Sequence, residues 1–298
     1  NAGRARSAPP PPASHIVPLL ANDDSSTDSA PLFLVHPVGG HVLIYRHLAQ
    51  RLGNGRRMLG LRARGTEEGE QPLDDLVAMA ALYVEQVRSV QPHGPYCLAG
   101  NSMGGNIAFE MAQQLVAAGD RVEVLALLDA VGPGQMPNRP QDDVEVFDFL
   151  LRGRLPISLE ALRALDQEAR LDAVLSAAKA AGALAPELGI EGARHLLLMI
   201  ERHLEALFSY QHQPYPGRLL FYRAAIRRRW DPPHPERPWV ELAQGGIEIH
   251  VVPGDHLSML APPQVETVAA HLGVALDRLE PARVPSALDA LAPLGSGR

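Results

Sequence analysis

The sequence predicts an α/β fold: an open, mostly parallel sheet with helices on both faces. Three observations point there. Short apolar runs alternate along the chain with longer stretches of helical periodicity, the pattern of repeated strand–helix–strand units. The runs are continuously apolar rather than alternating, as suits strands covered on both faces. A G-x-S-x-G pentapeptide, Gly100-Asn101-Ser102-Met103-Gly104, lies between one such run and one such helix. That junction is the context in which the motif presents a nucleophile.

The sheet begins at Leu32-Phe33-Leu34-Val35 and opens into the loop His36-Pro37-Val38-Gly39-Gly40. A helical pattern covers residues 41–52, and Met58-Leu59-Gly60-Leu61 reads as the next strand. From Asp74 to Val90, residues Leu76, Met79, Ala80, Tyr83, Val87 and Val90 recur with the 3.6 period, and Asp74 or Asp75 can cap the start. The strand Pro95–Ala99 leads into the pentapeptide, and a helix follows from Met103 to Ala118. Val122 to Leu128 is a buried strand closed by Asp129. Leu219–Tyr222 and Ile247–Val252 are two more, and Gln264 to Leu272 is a last helix. The crossovers between parallel strands are expected to be right-handed.

Residues 131–215 break the alternation, with helical patterns at Glu145–Leu151, Leu159–Ala181 and Arg194–Tyr210 and no strand. An insertion of that length over the carboxyl edge of a sheet reads as a helical lid. Residues 1–30, with Pro9–Pro12 and a polar run at 22–27, read as a flexible linker that tethers the folded domain, residues 31–276, to something upstream. Residues 277–298 read as a frayed tail.

Composition excludes several function classes. The 298 residues carry a net charge of −7, which gives no footing for nucleic acid. No apolar run reaches the ~20 residues needed to cross a bilayer, and no secretory leader is visible. The single cysteine, Cys97, reads as a small buried hydrophobe, compatible with a reducing, cytoplasmic setting. Arg227-Arg228-Arg229 reads as a solvated loop, with a contact surface for an acidic partner as the sharper alternative.

A serine hydroxyl is not ionised at neutral pH and needs a base, and the base needs a carboxylate to hold its tautomer. In this architecture the order is Ser, Asp/Glu, His. Asp129, directly after five apolar residues, is the candidate acid, with Asp231 its rival. His256, after the last strand and before the last helix, is the candidate base among 12 histidines. His36 precedes Ser102 and suits a supporting role, and His250 lies inside a strand. The amides of Met103 and Val38 are placed to form an oxyanion hole. His195, His203, His212, Asp231 and Glu236 lack metal-ligand spacing, so no metal is expected.

Several blocks together carry a family resemblance. Pro31–Gly40, Gly60-Leu61-Arg62-Ala63-Arg64-Gly65, Gln91–Tyr96, Ala108-Phe109-Glu110-Met111-Ala112 and Gly254-Asp255-His256-Leu257-Ser258-Met259-Leu260 resemble the thioesterase domains that end modular nonribosomal peptide and polyketide synthases. The resemblance covers residues 30–275. It implies an α/β-hydrolase fold with a helical lid, and it carries over Ser102 as nucleophile, Asp129 as acid, His256 as base and the Val38 and Met103 amides as oxyanion hole. It implies a two-step chain release. An acyl or peptidyl chain arrives on the phosphopantetheine arm of an upstream carrier domain, is transferred to Ser102, and leaves by hydrolysis or macrocyclisation. No cofactor is bound directly. Leu197, Ile200, Leu204 and Phe208 are the lid residues expected near the chain. Asn101 departs from the family, which often has a bulky residue there, and Arg64 and the lid match only loosely. A free-standing editing thioesterase, a general serine esterase and a non-catalytic docking module on the same fold are the alternatives.

Overall fold

A computed structural model describes residues 14–20, 29–53, 55–67, 69–135, 139–151, 157–180 and 184–278. Seven strands form one sheet: β1 (Ile16–Pro18), β2 (Leu32–Val35), β3 (Met58–Leu61), β4 (Tyr96–Asn101), β5 (Val122–Leu128), β6 (Leu219–Ile226) and β7 (Ile247–Asp255). Their order is β1-β3-β2-β4-β5-β6-β7, with every pair parallel except β1 with β3.

The period-two geometry of the strands sorts their apolar residues into two cores. Phe33, Val35, Leu59, Leu61, Tyr96, Leu98, Leu125 and Leu127 face one side, under α2 (Leu76–Val90) and α3 (Met103–Ala117). Leu32, Leu34, Met58, Cys97, Ala99, Val124, Ala126 and Leu128 face the other, under α1 (Arg46–Leu52) and α9 (Val265–Asp277). Burial on both faces is why these strands are apolar throughout. Cys97 is fully buried, and burial pushes its thiol up to about 12.

Between β5 and β6 lie four helices, α4 (Asp143–Leu151), α5 (Leu159–Arg163), α6 (Gln167–Ala180) and α7 (Ile190–Ser209). The continuous helix expected over 159–181 is broken because the Asp166 carboxylate accepts the Ala169 amide at 2.8 Å and starts a new helix. A short helix not expected from the sequence, α8 (Arg237–Leu242), begins with Pro238 in its first turn.

Several boundaries differ from the sequence pattern: β6 runs on past Tyr222 to Ile226 and α9 past Leu272 to Asp277. Residues 16–18, inside the expected linker of 1–30, pair with β3 in the register Ile16↔Leu61 and Pro18↔Leu59. Three residues are too few for periodicity to register, and an edge strand tolerates the proline. The last strand also continues past Val252 to Asp255, with a register shift that pairs Ile226 with Asp255. Residues 253–255, beyond the expected strand, therefore form its bulged end. The expected tail lies outside the described residues beyond Arg278.

Candidate active site

Ser102 stands between β4 and α3 with φ 56° and ψ −125°, a conformation that L-residues rarely hold. The turn closes so tightly that a Cβ at Gly100 would lie 2.1 Å from the Gly104 carbonyl carbon, and one at Gly104 would lie 2.3 Å from the Val35 carbonyl oxygen. The second approach also places the loop after β2 against the first turn of α3. The Ser102 amide donates to the Leu128 carbonyl at 2.9 Å, and the Asn101 side-chain amide donates to the same oxygen at 3.0 Å. The departure at Asn101 is thereby explained: its amide ties the serine turn to the end of β5.

The residue after Leu128 is Asp129, fully buried and itself at φ 51°. Its Oδ2 accepts from His256 Nδ1 at 2.8 Å. Only a protonated Nδ1 can donate to a carboxylate, so Nε2 is left as the free base. Burial works against an ionised Asp129. The hydrogen bond and charge of His256, followed by the charge of Arg227 and the Ala224 amide, hold its carboxyl below the usual range nonetheless. The rival Asp231 is instead used in a turn, where its Oδ2 accepts the Arg228 amide at 2.9 Å.

The loop after β2 lies at the same edge, since Val35 pairs with Gly100. Gly39 and Gly40 have φ of 93° and 86°, the freedom this turn requires. His36 is buried; its Nδ1 donates to the Pro37 carbonyl at 2.8 Å, and its Nε2 accepts from the Tyr83 hydroxyl at 2.7 Å. The Pro37 carbonyl and the Val38 amide belong to one trans peptide plane and point oppositely. The supporting role expected of His36 thus has a geometry: it orients the plane that carries the Val38 amide. Burial lowers its pKa to about 4, so the ring is neutral.

Comparisons with known proteins agree with this arrangement. The profile of the family described as "Thioesterase domain" matches residues 30–276. The chain belongs to the thioesterase domain family. A curated relative, the dimodular nonribosomal peptide synthase of Bacillus subtilis (strain 168), is 32% identical over 257 residues, which is 86% of this chain and 11% of that protein. A crystal structure of a four-domain nonribosomal peptide synthetase bound to AMP and glycine matches with a TM-score of 0.76 and 26% identity over 87% of this chain and 20% of that one. The NocB thioesterase domain, in covalent complex with a fluorophosphonate nocardicin G analogue, matches with a TM-score of 0.57 and 26% identity over 83% of this chain and 95% of that one. The fold of this thioesterase is the α/β-hydrolase fold, and the family is one of serine hydrolases.

In this family member the inserted helices reach the site through α7. His203 is buried, stacks on His36 with ring centroids 5.1 Å apart, and accepts the Gly39 amide through Nδ1 at 3.3 Å. Ile200 and Leu204 form an apolar cluster with Val146 and Phe149, against which Val38, Leu197 and Phe208 pack. Leu197 and Ile200 also line a cavity of about 170 Å³ between α4, α6 and α7, bounded by Phe147, Leu175 and Leu196. Three further histidines are engaged elsewhere: His195 bonds the Gly65 carbonyl, His212 bonds the Asn106 side chain, and His250 pairs with Glu248.

The arginine run is a loop whose Arg228 and Arg229 side chains are exposed, as expected, yet each of its three arginines also reaches an aspartate. Arg227 Nη1 donates to Asp129 Oδ1 at 2.6 Å, and Arg228 Nε donates to Asp255 Oδ2 at 2.6 Å. Arg229 pairs with Asp148 of α4 at 3.4 Å, and the Trp230 indole donates to the same carboxylate at 2.8 Å. Three buried aspartates thus neutralise three consecutive arginines. The sequence signal was present in the run's place, just past β6 at the carboxyl edge, but nothing local names partners 27 to 98 residues away.

Proposed function

We propose that this domain releases an acyl or peptidyl chain from a carrier-bound phosphopantetheine thioester, through a triad of Ser102, His256 and Asp129. The observation that carries the proposal is the buried His256–Asp129 hydrogen bond beside the strained Ser102 turn, whose amide donates to the carbonyl of Leu128, the residue just before Asp129. The similarity to a dimodular nonribosomal peptide synthase supports the carrier-borne substrate.

The chemistry follows from the groups present. Nε2 of His256 takes the Ser102 proton as Oγ attacks the thioester carbonyl. The resulting oxyanion is held by the Met103 and Val38 amides, the first at the start of α3, where helix N–H groups are unpaired. Collapse breaks the C–S bond, and the proton on Nε2 passes to the leaving thiol. The chain is now an ester on Ser102. Water, or a hydroxyl or amine of the chain itself, then gives its proton to His256 Nε2 and attacks the ester carbonyl; collapse breaks the C–O bond to Ser102, Nε2 returns the proton to Oγ, and an acid or a ring is released. Exclusion of water by the lid favours the ring.

The test is acylation by a pantetheine thioester of a long acyl chain, followed by intact-protein mass spectrometry. One adduct is expected on the wild type and none on Ser102→Ala. An adduct that persists in Ser102→Ala, or hydrolysis of simple oxygen esters that outpaces release from a carrier, overturns the reading.

A further inference from the structure

Arg227 lies outside the three residues just assigned, yet it touches one of them. Asp129 has two oxygens and three donors. Oδ1 takes the Ala224 amide at 3.0 Å and Arg227 Nη1 at 2.6 Å, while Oδ2 takes His256 Nδ1 at 2.8 Å. The guanidinium is itself fixed, with Nε donating to the Pro232 carbonyl at 3.0 Å and Nη1 also to the Ala224 carbonyl at 3.3 Å. Its side chain is 17% exposed and the carboxylate 0%, so the pair is only weakly screened by solvent.

We propose that Arg227 is a positioning residue for the acid–base pair: it occupies Oδ1, leaves Oδ2 as the single seat for His256, and balances the carboxylate charge that the His256 Nδ1–H faces. The proposal rests on the triad reading above. Its physical basis has two parts. A carboxylate with one oxygen pinned by two fixed donors cannot rotate to exchange oxygens, so the Nδ1–H has one direction to point. A buried aspartate without a countercharge would also hold an adjacent imidazolium strongly, taking the base out of use at and below neutral pH. The charged groups around the pair are Arg227, beyond β6, and the Arg228–Asp255 pair next to His256 in the chain.

The experiment measures the rate at which a fluorophosphonate labels Ser102 as a function of pH, a reaction that needs the Ser–His unit but no native chain. Arg227→Met removes charge and donor, Arg227→Gln removes the charge and keeps a donor, and Arg227→Lys keeps the charge. Met and Gln are expected to move the acidic limb of the profile to higher pH by on the order of one unit, so that labelling slows about tenfold below neutral pH and recovers to within about threefold at pH 9. Lys is expected to restore the limb. The low-field proton resonance of His256 Nδ1–H is expected to shift in Met and Gln and to return in Lys. If Met does not fold, Gln decides by its limb. A limb unmoved in the neutral variants, or a uniform slowing at every pH with the resonance unchanged, overturns the role of Arg227 while leaving the triad standing. A wild type that is not labelled at Ser102 overturns both.

Discussion

Gly100 and Gly104 make the serine turn possible because backbone fills the space where their side chains would be. Neither obstacle is the flexible end of a side chain, so the turn cannot yield cheaply. Gly100→Ala is expected to cost at least ~3 kcal/mol or to abolish folding, as urea unfolding would measure. Asn101→Ala is expected to cost only about 1 kcal/mol, because the Leu128 carbonyl keeps the Ser102 amide as its donor. Equal losses in the two variants would contradict this account. At this scale the sequence was most legible. Gly-x-Ser-x-Gly encodes a steric requirement in the residues that meet it, and a histidine after the last strand has few other reasons to be there. Arg227 was illegible for the opposite reason: an arginine's partner is set by which loops the sheet brings together, and Asp129 is 98 positions away.

The helices differ in how much of their identity is local. α2 follows from its period and from Asp75, whose carboxylate accepts the Ala78 amide at 2.7 Å. The lid helices are also periodic, but their attachment is not. Asp148, on α4, holds the Trp230 indole and the Arg229 guanidinium, so one carboxylate joins the lid to the segment that carries Arg227. Arg229 is largely exposed and contributes little; the part-buried indole bond carries most of the tie. Asp148→Ala is expected to destabilise by about 1–3 kcal/mol, the cost of an unpaired buried N–H. Hydrogen exchange should rise together in residues 143–150 and 226–232 and stay unchanged in α2 and α3. Faster exchange in α4 alone would show that the lid moves independently of the arginine segment. β1 and α8 escaped the sequence pattern because three residues hold less than two strand periods and six residues less than two helical turns.

The whole molecule buries several neutral histidines, which makes its stability depend on pH. Burial lowers His36 and His212 to about 4 and His203 well below its ordinary value. The unfolded chain protonates these rings near 6.5, so between there and about 4 it binds more protons than the folded chain, and stability falls as pH falls. His36 alone accounts for on the order of 3 kcal/mol across that window. Asp129, depressed below the usual carboxylate range, adds to the loss at lower pH. Tm is expected to drop steadily from pH 7 to pH 5, and less steeply in His36→Gln; a flat wild-type Tm over that range would remove the argument for buried neutral rings. By itself the sequence determined the parallel sheet, the place of the serine turn and the family, because continuous apolar runs and close-packed glycines are local consequences of burial and steric contact. Only the tertiary structure decided which carboxylate His256 meets, that β1 closes the sheet edge, and that three arginines are neutralised by three aspartates. Those facts depend on distances between segments far apart in the chain, which no local pattern encodes.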